Sequence, residues 1–143
     1  MNDTYTMVFT AIQETIAGPE GDHWDIETGW AYTNTDPLVV RITVPSSTYI
    51  ISREFLAKGM NGGGLVKIHD TLDAWIAHVG EREWLYFGDY SEPDGSVVFI
   101  RFPWEMAEEF YAATTEIVVP GEEGPVLRAA IEDGLKQLLK ETT

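Results

Sequence analysis

The sequence contains no cysteine. That excludes disulfides, thiolate metal sites and cysteine nucleophiles, and it is consistent with a reducing compartment. Basic residues are scarce as well: nine Lys and Arg stand against 24 Asp and Glu, for a formal net charge of −15. A field of this sign repels phosphate backbones and anionic membranes, whereas non-specific nucleic-acid binding relies on the opposite sign. Only Arg41, Arg53, Lys58 and Lys67 fall in one region, so the chain has no long basic cluster. No apolar run approaches the ~18 residues needed to span a bilayer. The N-terminal "MNDTYTMVFT" has neither the basic nor the apolar region of a signal peptide. The expectation is a cytoplasmic protein without membrane insertion, and the acidic surface serves solubility or faces a basic partner.

What is present is material for a core. The chain has 143 residues, 44% of them apolar, with five Trp, six Tyr and six Phe. One domain over residues 1–143 is expected, burying roughly 68–70% of its unfolded surface.

Alternation with period two marks strands at Asp3–Ile16 (Tyr5, Met7, Phe9 and Ala11 on one face) and His23–Thr33 (Trp24, Ile26, Thr28 and Trp30). After the "NTDP" turn come Leu38–Val44 and Thr48–Ser52. Ser52 is placed to cap a helix, "REFLAKG", that starts at Arg53 and stops at Gly59, with Phe55 and Leu56 inward. A glycine link leads to a strand at Leu65–Asp70. Leu72, Trp75, Ile76 and Val79 show helical spacing, which predicts a short helix over Thr71–Gly80. Arg82–Tyr90 and Ser96–Phe102 flank "SEPDG" and predict a hairpin. Helices are expected at Pro103–Ala113 and from Pro125 onward, with Pro in the first turn of each. The predicted order is ββββ-α-βββ-α-α, an α+β fold with a mostly antiparallel seven-stranded sheet. The final helix has an apolar stripe of Leu127, Ile131, Leu135 and Leu138. Packing on its own sheet is the default, and packing on a neighbouring chain fits equally.

Motifs for chemistry are weak. "NGGGLVK" lacks the Lys-Ser/Thr of a phosphate loop and precedes a strand, so a plain linker is the better reading. His69, Asp70 and Asp73 lie close together, too few for a metal site; a strand-end His beside a capping Asp accounts for them. The pairs Glu108/Glu109, Glu122/Glu123 and Glu132/Asp133 are adjacent on helices or loops and point apart, unlike catalytic carboxylates facing across a cleft. Trp24, Trp30, Trp75, Trp84 and Trp104 could stack sugars or bases, but four occupy core-like positions; Trp104, beside Pro103, is the one expected at the surface.

Three stretches taken in order, "YTNTDPLVVRITV", "TYIISREFLAKGM" and "GGGLVKIHD", resemble the SsgA-like family of actinomycete sporulation and cell-division regulators. The likeness continues in "SEPDGSVVFIRFPWEMAEEFYAAT" and "VVPGEE", and spans about Tyr32 to Leu139. Asp36, Pro37, Arg53, Glu54, Leu56, Gly59, Pro93, Gly95, Phe110, Pro120, Gly121 and Glu123 fall on the family pattern. Three departures stand beside it. No Arg follows Phe110-Tyr111, Val119 replaces a proline, and about Leu72–Glu81 is an insertion. Most of the matching residues read as structural. Arg53 is different, because a cation in the first turn of a helix is disfavoured by the dipole. It points to a partner carboxylate or a binding contact, and the expectation is that Arg53→Ala leaves the fold intact. With Glu54 and Trp104, it forms the candidate partner-binding set.

The resemblance implies a curved, whirly-like antiparallel sheet with helices, assembled as a homo-oligomer, a trimer in at least one subgroup. It implies no enzyme activity, no cofactor and no metal. The partners it implies are division or wall-remodelling proteins, including the tubulin-like ring protein FtsZ in one subgroup, and other family members. The function expected is an adaptor in sporulation-specific septation. The alternative is a whirly-like single-stranded nucleic-acid-binding protein, which the charge disfavours; a small hydrolase using His69, Asp70 and Asp73 is a third reading.

Overall fold

The structure is a computed structural model and describes residues 3–16, 22–45, 47–61, 66–69, 72–78, 83–89 and 97–141. The described chain runs through strands β1 (Thr4–Ile16), β2 (Asp22–Thr33), β3 (Val39–Val44) and β4 (Ser47–Ser52), then helix α1 (Arg53–Asn61). Strands β5 (Val66–His69), β6 (Leu72–Ala77), β7 (Trp84–Asp89) and β8 (Val97–Pro103) follow, then helices α2 (Trp104–Ile117) and α3 (Glu123–Glu141). The strands form one sheet in the order β4-β3-β2-β1-β8-β7-β6-β5, and every pairing is antiparallel.

The α+β class and the antiparallel sheet match the expectation, but the sheet has eight described strands where seven were predicted. The added strand is β6, in the stretch whose spacing predicted a helix. A short apolar run satisfies both periods. Pairing decides it: Ile76 sits opposite Val66 on one side and Phe87 on the other, with its side chain fully buried. A helix there would leave the facing edges of β5 and β7 without hydrogen-bond partners.

The two-residue alternation of β1 and β2 sets their register. Met7 opposes Trp30, Phe9 opposes Thr28, and Ala11 opposes Ile26, so one face of the ribbon is apolar. Trp24 lies opposite Gln13, near the end of that ribbon where β1 finishes and β2 begins, and is exposed, contrary to its core-like spacing. Inside, Trp30 packs edge-on to Phe102 and Phe110 at 4.8 and 5.4 Å between ring centroids. Tyr5 meets Phe110 at 5.7 Å. Burying each such ring is worth on the order of 1.5–3 kcal/mol.

The sheet curls. Tyr49 of β4 touches Phe87 of β7 with ring centroids 4.8 Å apart, although four strands separate them in the sheet order. Helix α1 packs against β4 at one edge and β5 and β6 at the other, closing the mouth of the curl. That closure needs a glycine. A Cβ on Gly59 would lie 2.3 Å from Ile76 Cγ2. Gly59 was expected to stop the helix. It sits inside α1 instead, which continues to Asn61, and its role is close approach.

Candidate partner interface

Arg53 opens α1, and Ser52 caps the helix as expected: its Oγ accepts the Phe55 N–H at 2.9 Å. The Arg53 side chain does not reach solvent. It turns inward beneath the ring of Tyr32, with the guanidinium carbon 5.0 Å from the ring centroid. Nη1 donates to the carbonyls of Thr114 (3.1 Å) and Val118 (2.6 Å) at the C-terminal end of α2. Val118 O is among the carbonyls that a helix end leaves without an intrahelical partner, whereas Thr114 O also accepts the Val118 N–H at 3.0 Å. Nη2 donates to the Glu123 carboxylate at the start of α3. One cation therefore ties together the start of α1, the end of α2 and the start of α3.

The connection between α2 and α3 is shaped for this. Glu122 N–H donates to Val119 O at 2.9 Å, and Gly121 has φ +96°, the left-handed value that a Pro-Gly turn requires at its second central residue. The turn brings Glu123 back, so that one carboxylate oxygen accepts the Gly121 N–H at 2.8 Å while the other takes Arg53. The hydrogen bond from Arg53 holds the Glu123 carboxyl below its usual pKa, against the opposing effect of burial. Burial raises the Tyr32 phenol, and the nearby Arg53 charge works against that rise. The Tyr32 hydroxyl donates to Pro37 O at 2.9 Å, fixing the turn between β2 and β3.

Of the three predicted partner contacts, Glu54 alone keeps its side chain in solvent, 3.2 Å from Lys58 one turn on. Arg53 is 2% exposed and Trp104 is 6% exposed. Trp104 was expected at the surface. It donates from Nε1 to Glu108 at 2.9 Å and packs edge-on to His78. The carboxylate that Arg53 called for lies in the same chain. Leu56 and Phe110 are fully buried. Asp36 pairs with Arg41 at 3.5 Å on the surface. Pro120 and Gly121 form the turn above Arg53. Pro93 and Gly95 lie outside the described residues, as do Asp70 and the side chains of His69 and Asp73.

A groove of about 540 Å³ opens beside Arg53, walled by Leu38, Ala57, Tyr111 and Pro120, with Glu54 on its rim. The other surface feature is α3. The default of packing on its own sheet is not what the structure shows: none of its residues is buried, and Ile131, Leu135 and Leu138 are all exposed. The signal that missed this was the stripe itself, which is the same for either kind of cover. Among the described residues no group of three or more His, Asp and Glu is placed to hold a metal, and no described helix is long and apolar enough to cross a membrane.

No protein-family model matches the sequence, and no curated protein does either. Solved structures do. One is an SsgA-like sporulation-specific cell division protein from Thermobifida fusca, 19% identical, with a TM-score of 0.69, covering 92% of this chain and 96% of that one. Another is from a study of SsgB mutations that correlate to longitudinal cell division during sporulation of Streptomyces coelicolor. It is 21% identical, with a TM-score of 0.67, covering 87% of this chain and 94% of that one. An α+β domain with a curled antiparallel sheet is the class, and the fold is that of the SsgA-like proteins.

Proposed function

We propose that this protein is a non-catalytic, homo-oligomeric adaptor in sporulation-specific cell division, acting through surface complementarity at the septum. The observation that supports this best is the pairing of an SsgA-like fold with a long amphipathic helix that the domain itself leaves uncovered. Its partners are division or wall-remodelling proteins, and their contact surface on this chain includes the Glu54 rim of the groove. The reading places the chain in the cytoplasm, recruited to forming septa.

The test is a fluorescent fusion imaged in a sporulating actinomycete. Foci or ladders at forming septa are the expected result, followed by co-purification of a division protein. A diffuse signal at every stage would reject the septation role. A gel shift with single-stranded DNA at moderate salt would move the assignment to a nucleic-acid binder.

A further inference from the structure

The groove beside Arg53 encloses about 540 Å³, a volume within the range of ordinary ligand sites. Its walls are mostly apolar: Leu38, Ala57, Tyr111 and Pro120. Leu38, immediately before β3, is 47% exposed, and Val119, next to Pro120, is 60% exposed. Two aliphatic side chains left in water beside one groove differ from the scattered single exposures that any surface shows.

Charge selects the occupant. Arg53 lines the groove, but its cation is spent inside the domain, with Nη1 on the Thr114 and Val118 carbonyls and Nη2 on Glu123. An anionic ligand would have to displace the Glu123 carboxylate and pass Glu54. The Glu54 side chain is 79% exposed and pairs with Lys58 across one helical turn. A pair this exposed holds weakly, so Glu54 can trade Lys58 for a cation of a partner. Helix α2, which supplies Tyr111, carries four Glu and neither Lys nor Arg. Its Glu116 is exposed in the last turn, where the helix dipole already favours a cation, and exposed Glu122 follows in the connection to α3. An apolar space inside an acidic rim fits a ligand that is apolar at one point and basic beside it. We propose that the groove seats a short basic segment of a protein partner. One apolar side chain fills the space between Leu38, Ala57, Tyr111 and Pro120, and a flanking Lys or Arg meets Glu54. The apolar anchor supplies the affinity, and the rim charges supply the choice of partner and the speed of encounter.

This rests on the groove being the partner surface of the reading above, and it adds the chemistry of the segment. The probes are three fluorescent peptides, titrated against the native chain by anisotropy. The first has leucine and phenylalanine between two pairs of lysines. The second has glycine and serine in place of that anchor, and the third has glutamates in place of the lysines. The first is expected to bind roughly tenfold tighter than either of the others, and to weaken as salt is added. Leu38→Ser and Glu54→Lys, both at exposed positions, should each lower its affinity about fivefold with unchanged near-UV circular dichroism. Glu27→Lys makes the same charge change at an exposed position of β2, opposite Thr10, and should leave the affinity as it is. Equal binding of the first two peptides, or equal losses in Glu54→Lys and Glu27→Lys, would mean general attraction to an acidic surface and overturn the groove. Preference for the third peptide, or binding of none, would overturn the basic segment. In that case a Leu38→Ser/Glu54→Lys fusion that loses the septal foci of the native fusion would keep the groove as a partner surface, and one that retains them would remove it. A diffuse native fusion beside intact peptide binding would overturn septation alone.

Discussion

Arg53 and Glu123 stand 70 positions apart in sequence and share a part-buried ion pair in which Nη2 of the guanidinium donates to the carboxylate. The arginine side chain is 3% exposed and the glutamate 21%. Around this contact three helix ends meet, and the domain's acid response and the aim of α3 both depend on it.

Arg53→Ala is therefore expected to destabilise the domain rather than leave it intact. It strands the carbonyl of Val118, takes one of two donors from that of Thr114 and leaves Glu123 without its cation. Removing one partner of a buried pair costs about 3–5 kcal/mol. Glu123→Gln should cost less, since its carboxylate is one-fifth exposed. Urea denaturation of both variants checks the order; an Arg53→Ala midpoint equal to the native one would refute the role given to this contact.

The same pair shapes the pH response. Glu123 is held in its charged form, so its folded pKa lies below the unfolded one. Its contribution is present above the unfolded value of about 4.3 and is lost as pH falls through the folded value. Tyr32 has the opposite sign, since burial raises it. Its contribution is present below about 10 and is lost as pH rises through its folded value. Melting temperature is expected to be level through neutral pH and to fall at both ends. Glu123→Gln should flatten the acid limb only, and Tyr32→Phe the alkaline limb only.

Gly59→Ala offers a test of the curl. In a helix interior that substitution ordinarily stabilises by up to about 1 kcal/mol. Here the new Cβ would meet Ile76 Cγ2 at 2.3 Å, so a loss of about 1–3 kcal/mol is expected. Pairing it with Ile76→Ala should recover part of the loss. A double-mutant cycle with no coupling energy would mean that α1 does not seat against β6 as described.

Ser52→Ala removes the acceptor for the Phe55 N–H. A loss of about 1 kcal/mol is expected. Ser52→Asp should retain most of the stability, because a carboxylate at that position caps as well and suits the dipole. Thermal melts of the two variants distinguish a cap from a general effect of the site.

How much of this was legible depends on the range of the physics involved. The Ser52 cap, the Pro103 start of α2 and the β1–β2 faces follow from neighbours within a few residues, and local sequence carries them. Trp24 and Trp104 show the limit. Local context puts the first in the core and the second at the surface, yet Trp24 stands exposed where β1 finishes and β2 begins while α2 packing buries Trp104. The strand at Leu72–Ala77 was misread because six apolar-rich residues fit two periods, and only the waiting edges of β5 and β7 choose between them.

The sequence by itself determined the composition-level facts: no thiol chemistry, a strongly acidic surface, antiparallel strands joined by short turns, and an amphipathic last helix. Tertiary structure alone decided where Arg53 points, because its partners lie 61 to 70 positions away and no local spacing encodes them. It also decided that α3 buries none of its residues and leaves Ile131, Leu135 and Leu138 largely exposed. Amphipathicity says that a face seeks cover, while the direction in which the Pro120-Gly121 turn and the Arg53–Glu123 pair send the helix says which face the domain leaves open.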